Sequence, residues 1–126
     1  MERYPSINVL GEPLAPCSFA TLTGFYRNGC CDTGEEDMGQ HTVCVIVDEE
    51  FLEFSKSRGN DLITPQQQYR FPGLRPGDRW CLCASRWWEA FQARKAPKVV
   101  LQATHQATLD VIPFKVLNQF AVDPVS

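Results

Sequence analysis

The chain has 126 residues, a formal net charge of −3 and 44% hydrophobic residues, which is enough for one domain that buries about two-thirds of its unfolded surface. Fourteen aromatic residues and a charged fraction of only 21% exclude a disordered chain. The negative charge argues against nucleic-acid binding, and no apolar stretch reaches the roughly eighteen residues of a membrane helix. We therefore expect a single domain over residues 1–126, with no nucleic acid and no membrane as partner.

The charges are unevenly distributed along the chain. Residues 1–63 carry a net charge of −7, whereas residues 64–126 carry +4. In one small domain this asymmetry favours two complementary faces of the same fold. Residues 1–16 lack the apolar segment of a secretory signal, so the sequence predicts a cytoplasmic location, where thiols stay reduced.

The first half of the chain alternates between turns and short regular elements. Residues 6–10 are typical of a short strand, and residues 11–40 form a long loop rich in Gly and Pro. A loop of that length is usually functional or held by its own contacts. Residues 41–47 predict a strand whose two faces are both covered. Asp48 then begins a helix that ends before Gly59.

The second half interleaves strands and helices. Arg79–Ala84 predicts another buried strand, and Ser85 begins a helix that continues to about Arg94. Lys98–Thr104 is a third strand by its content of Val and Leu, and Pro113 begins a last short helix. The fold class is therefore α+β, a small mixed sheet packed by two or three short helices, with α/β as the alternative.

Five blocks of sequence are distinctive when they are taken together. They contain a Gly-Cys-Cys turn and an Asp-Arg-Trp-Cys-Leu-Cys strand, and they are Asn8–Cys17, Thr23–Gly34, Glu36-Asp37 followed by His41–Cys44, Phe51–Leu62 and Phe71–Ala84. With these blocks the chain resembles the uncharacterised bacterial family "domain of unknown function 2237", over about residues 8–123. The resemblance implies a small soluble domain of unassigned role. It supplies no reaction, cofactor or catalytic residue, so a site must be argued from the residues.

Six cysteines are the unusual part of the composition: Cys17, Cys30, Cys31, Cys44, Cys81 and Cys83. Adjacent Cα atoms lie about 3.8 Å apart, which is short for a disulfide. Cys81 and Cys83 are two positions apart on a predicted strand, so their Cα atoms would be about 6.6 Å apart, at the far edge of the usual range for a disulfide. Any stable bridge must therefore join distant segments. The chain also lacks a pair of cysteines with two to four intervening residues, the spacing of a zinc knuckle, so zinc is only weakly supported as a cofactor.

Three roles remain for these cysteines, namely structural thiols, a reactive site or a metal site. Cys30 and Cys31 lie in a turn of small residues that would present backbone N–H groups to an anion, and His41 is close enough in sequence to act as their base. These three residues are the catalytic candidates. Cys83 precedes a helix whose dipole would favour a thiolate. The alternative metal ligands are Cys30, Cys31, Cys44, Cys81 and Cys83.

A second group of polar residues follows the first predicted helix and begins the second strand. For the residues that follow the first helix, the structural interpretation is a glycine C-cap followed by an Asx turn. The functional interpretation is a polar ligand pocket formed by Arg58, Asn60, Asp61, Arg79 and Trp80.

Two functions are therefore compatible with the sequence. The first is a pocket lined by Cys and His that binds a small ligand or a metal, or that performs thiol chemistry. The second is a non-enzymatic interaction module with buried structural cysteines, whose surface would include Trp87 or Trp88. The sequence does not decide whether the domain is an enzyme, and it identifies no protein partner.

Overall fold

The computed structural model describes residues 3–126, so the first two residues of the predicted domain lie outside the described part. Its centre is a three-stranded antiparallel sheet in the order β2-β1-β3. The strands are β1 (His41–Ile46), β2 (Arg79–Cys83) and β3 (Lys98–Val99). With its helices this architecture confirms the α+β class, although the sheet is antiparallel rather than mixed.

Three α-helices accompany the sheet: α1 (Glu49–Ser57), α2 (Ala84–Gln92) and α3 (Phe114–Gln119). As predicted, Asp48 caps α1, and its carboxylate accepts a hydrogen bond of 2.7 Å from the Phe51 N–H. Helix α2 begins two residues earlier than predicted. Its N-cap is Cys83 rather than Ser85, and no side chain caps its first turn.

Two predicted strands are not formed as expected. Residues 6–10 make only isolated bridges, because Asn8 Oδ1 accepts hydrogen bonds from two nearby backbone N–H groups and holds this segment in a tight turn. The third strand ends at Val99 instead of Thr104. There the chain turns into a 3-10 helix (Leu101–Ala103), because the Asp123 carboxylate accepts hydrogen bonds from the first two N–H groups of that helix.

Strand β1 separates two buried clusters, which confirms that both of its faces are covered. Val43 and Val45 belong to the larger cluster, which also contains Trp87 from α2. Trp87 is completely buried, and its indole Nε1 donates a hydrogen bond of 3.2 Å to the Pro97 carbonyl. This cluster gives the helices their position on one side of the sheet.

The other face of the sheet carries four cysteines. Cys44 and Cys81 are cross-strand partners, and each is joined by a disulfide to the long loop, Cys44 to Cys17 and Cys81 to Cys31. The bridges are long-range, as the spacing requires. Cys44 and Cys81 are buried strand residues as predicted, but they are paired and not free thiols, because the loop passes directly over them. No helix of the described chain is long and apolar enough to cross a membrane.

Candidate thiol site

The long loop returns to the sheet through a tight turn at residues 37–40. The Gln40 N–H donates to the Asp37 carbonyl at 3.1 Å, and Gln40 has a left-handed φ of 48°. The Gln40 carbonyl then accepts hydrogen bonds from Thr42 and from Ala84, the first residue of α2. The turn is therefore fixed against the point where β2 becomes a helix.

A β-bulge at the start of β1 decides which side chains meet there. His41 is paired with Cys83, whereas Val43 is already paired with Leu82, so β1 contains one extra residue. Bulges of this kind redirect side chains and are frequent beside functional sites. Here the bulge brings His41 next to the half-buried thiol of Cys83.

Asp37 holds the His41 ring from the other side. Its side chain is fully buried, and Asp37 Oδ1 lies 2.7 Å from His41 Nδ1. Asp37 Oδ2 accepts two further hydrogen bonds of 2.9 Å, from the Thr33 hydroxyl and from the His41 backbone N–H. A buried carboxyl group is costly unless its oxygens have such hydrogen-bond partners. Asp37 therefore fixes the orientation of His41 and leaves Nε2 as the ring nitrogen available to Cys83.

These contacts favour the charged form of His41. A hydrogen bond with Cys83 is the main cause that raises the pKa of His41 to about 9; the charge of Cys83 and the contact with Asp37 add to it, and burial of the ring opposes it. Phe25 covers one face of the ring in a stacked arrangement, with 6.1 Å between centroids. The geometry is that of a thiol and an imidazole that exchange a proton, with a carboxylate behind the imidazole.

The backbone of Gly39 packs closely against this pair. A Cβ atom at this position would lie 3.0 Å from His41 Cε1 and 3.3 Å from Cys83 Sγ, and the φ of Gly39 is one that other residues adopt easily. Glycine is therefore needed here for close approach to the thiol and not for backbone conformation.

The structure places the predicted catalytic cysteines in a different setting. Cys31 is fully buried in its disulfide. Cys30 is free, but burial and the nearby Asp32 charge raise its pKa. The Cys30 N–H donates to Asn28 Oδ1, so the turn uses this donor itself instead of presenting it to an anion. Of the predicted trio, only His41 lies beside a free thiol and a carboxylate.

Only two of the predicted metal ligands, Cys31 and Cys81, belong to the cluster of sulfur atoms in the structure. The Sγ atoms of Cys17, Cys31 and Cys81 all lie within 4.8 Å of one another, which is close enough for a metal site. Cys17 was not among the predicted ligands, and each of the three sulfurs is in a disulfide. Because a metal is bound by thiolates, both bridges would have to be reduced first.

Two residues of the predicted polar pocket line a cavity of about 190 Å³, namely Asp61 and Trp80. Arg58 lies apart in an ion pair with Glu89 at 3.6 Å, and Asn60 exchanges hydrogen bonds with Ser55. The other lining residues are Arg27, Leu62, Gln66, Tyr69 and Phe71.

Asp37 and Gly39 are absent from the residues that the sequence predicts as functional, because both lie in the long loop of residues 11–40, where no periodic pattern indicates which side chains are buried. Glu35 is exposed, whereas Asp37 is 3% exposed. The feature of the sequence that could have indicated the contact between Asp37 and His41 is that Asp37 precedes His41 by four positions, with Gly39 between them.

The described residues thus define an α+β domain whose long loop is fixed by two disulfides and completes a Cys-His-Asp arrangement. The chain belongs to the family described as "Uncharacterized protein conserved in bacteria (DUF2237)", whose model matches residues 7–121. The resemblance drawn from the sequence blocks is confirmed. A comparison with curated proteins finds no match to the chain.

Proposed function

We propose that this domain performs thiol chemistry, with Cys83 as the nucleophile, His41 as the residue that takes and returns its proton, and Asp37 as the residue that positions His41. The observation that carries this proposal is the position of one imidazole, which lies beside the free thiol of its cross-strand partner Cys83 and 2.7 Å from a buried carboxylate. This is the arrangement by which a weak thiol nucleophile is activated.

The position of Cys83 in the fold adds to this activation. Cys83 is the N-cap of the nine-residue helix α2, and no side chain competes for the first turn of that helix. The positive end of a helix dipole stabilises negative charge that develops close to it. Cys83 is also the free cysteine with a neighbouring imidazole, whereas Cys30 has Asp32 as its charged neighbour.

Alkylation of the two free cysteines tests the proposal, and Cys30 serves as the internal control. The unreduced protein is treated with iodoacetamide at pH 6.5, and the modified peptides are quantified over time by mass spectrometry. We expect Cys83 to react at least about tenfold faster than Cys30, because the thiolate is the reacting form. Equal rates, or a faster Cys30, would refute the proposal.

Two variants separate the roles of the partners. His41→Ala removes the proton acceptor and should reduce Cys83 alkylation at pH 6.5 by about tenfold or more. Asp37→Asn keeps the size of the side chain and should cause a smaller loss, because His41 remains but is less well oriented. Cys30→Ser is the matched control and should leave the rate at Cys83 unchanged. Thermal melts of each variant identify any loss that comes from unfolding.

Metal binding is the second candidate function, and the three converging sulfur atoms are the observation that favours it. It requires a protein whose disulfides are reduced. Elemental analysis after purification without chelator, under reducing and anaerobic conditions, tests it. Less than about 0.1 metal per chain would rule against this candidate, since a closed thiolate site binds zinc tightly.

A cytoplasmic location stays a prediction, and the two disulfides bear on it. Disulfides persist mainly in oxidising compartments. The proposed chemistry at Cys83 does not require either bridge to open. It is therefore compatible with a reducing or an oxidising compartment, provided that the loop of residues 11–40 stays in place. Thiol trapping in rapidly quenched cells would show which redox state the protein has there.

A further inference from the structure

The backbone next to Cys83 suggests which electrophile the thiol attacks. Gly39 approaches Cys83 so closely that a single added carbon would contact Sγ. Among the described residues, the Gly39 N–H has no hydrogen-bond acceptor, whereas the neighbouring N–H groups of Met38, Gln40 and His41 are all bonded. An unpaired backbone donor beside a nucleophile can stabilise an oxyanion that forms there.

We infer that Cys83 acts on carboxylic esters or thioesters, and that the Gly39 N–H binds the carbonyl oxygen of the substrate; this inference rests on the proposed function. Carbonyl substrates develop negative charge on oxygen next to the attacked carbon, and this is the charge that a nearby N–H stabilises. Phe25, which stacks on the His41 ring, and Met38, which directly precedes Gly39, are both exposed and offer contacts for a small apolar acyl group.

The reaction proceeds by acyl transfer without any redox change. The Cys83 thiolate forms a bond to the carbonyl carbon, and the C=O electron pair moves to oxygen. That pair then re-forms the C=O bond, the bond to the leaving group breaks, and the His41 imidazolium gives its proton to the departing oxygen or sulfur. Water loses a proton to His41, attacks the resulting thioester and releases the carboxylic acid with the Cys83 thiolate.

Comparison of two electrophiles tests this inference on the unmodified protein. p-Nitrophenyl acetate develops an oxyanion when it is attacked, whereas iodoacetamide does not. Each rate at Cys83 is divided by the rate of free glutathione thiolate. We expect the ester to be accelerated at least about tenfold more than the alkylation, since one oxyanion donor contributes about 10²–10³-fold. Mass spectrometry should also find an acetyl group on Cys83.

Gly39→Ala provides the matched variant. Its new Cβ would occupy the space next to Cys83 Sγ and His41 Cε1. Both rates should therefore fall, but acetylation should fall at least about tenfold more than alkylation, because only acetylation needs the Gly39 N–H. Equal acceleration of both electrophiles in the unmodified protein would overturn the inference, and so would an equal loss of both rates in the variant. Slow alkylation of Cys83 in the unmodified protein would instead refute the proposed thiol function itself.

Discussion

Removal of the disulfide between Cys31 and Cys81 should cause a large loss of stability. The bridge closes a loop with a sequence separation of 50 residues. In the chain-entropy model a loop of this size is worth about 4 kcal/mol at 25 °C. A domain is typically stable by only about 5–15 kcal/mol, so the double variant Cys31→Ala, Cys81→Ala should lose a large part of its free energy of unfolding.

The second bridge, between Cys17 and Cys44, has a separation of 27 residues, which corresponds to about 3.5 kcal/mol. Cys31 lies inside that loop, so the two loops overlap. Each bridge already restricts the chain that the other closes, so each single loss is measured in a chain that is still partly restricted. Removing both bridges should therefore cost more than the sum of the two single losses. This non-additivity separates the entropic explanation from one based on local packing alone.

Urea unfolding followed by tryptophan fluorescence measures these losses, because Trp87 is fully buried. A thiol titration of the native protein should find two free cysteines before reduction, Cys30 and Cys83. Cys30→Ser is the control and should change the free energy of unfolding by less than about 0.5 kcal/mol. A double variant within about 1 kcal/mol of the parent protein would refute the reasoning.

Three further predictions concern single side chains. The pKa of His41 is raised to about 9, so an NMR titration should show its midpoint there and a lower one in Cys83→Ser; the stability that this pKa shift contributes is complete below the unfolded pKa of about 6.5 and lost as pH rises towards 9. Burial lowers the pKa of His105, so the stability that depends on its neutral form is lost as pH falls below about 6.5. The free energy of unfolding of His105→Gln should therefore decrease less steeply with falling pH than that of the parent protein. Trp87→Ala empties the centre of the larger core cluster and should cost about 3–5 kcal/mol in urea unfolding.

Local sequence patterns predicted the parts of the fold that depend on neighbouring residues. The apolar run in β1 predicted a strand with both faces covered, and the Asp48 cap placed the start of α1. The alternation in β2 separated Cys81 from Leu82, and Pro113 lies at the start of α3. The pattern failed for Lys98–Thr104, because the side chain of Asp123, far along the chain, ends that strand early.

The candidate site was only partly predictable for the same reason. The sequence alone identified His41 as a base, Cys83 as the cysteine before a helix, and long-range bridges as the only comfortable disulfides. It did not predict the pairing of Cys17 with Cys44, the burial of Asp37 or the contact of His41 with Cys83. Those outcomes depend on a bulge and on a loop that crosses the sheet. They join residues far apart in the chain, and periodicity and spacing carry no information about such contacts until tertiary packing sets the distances.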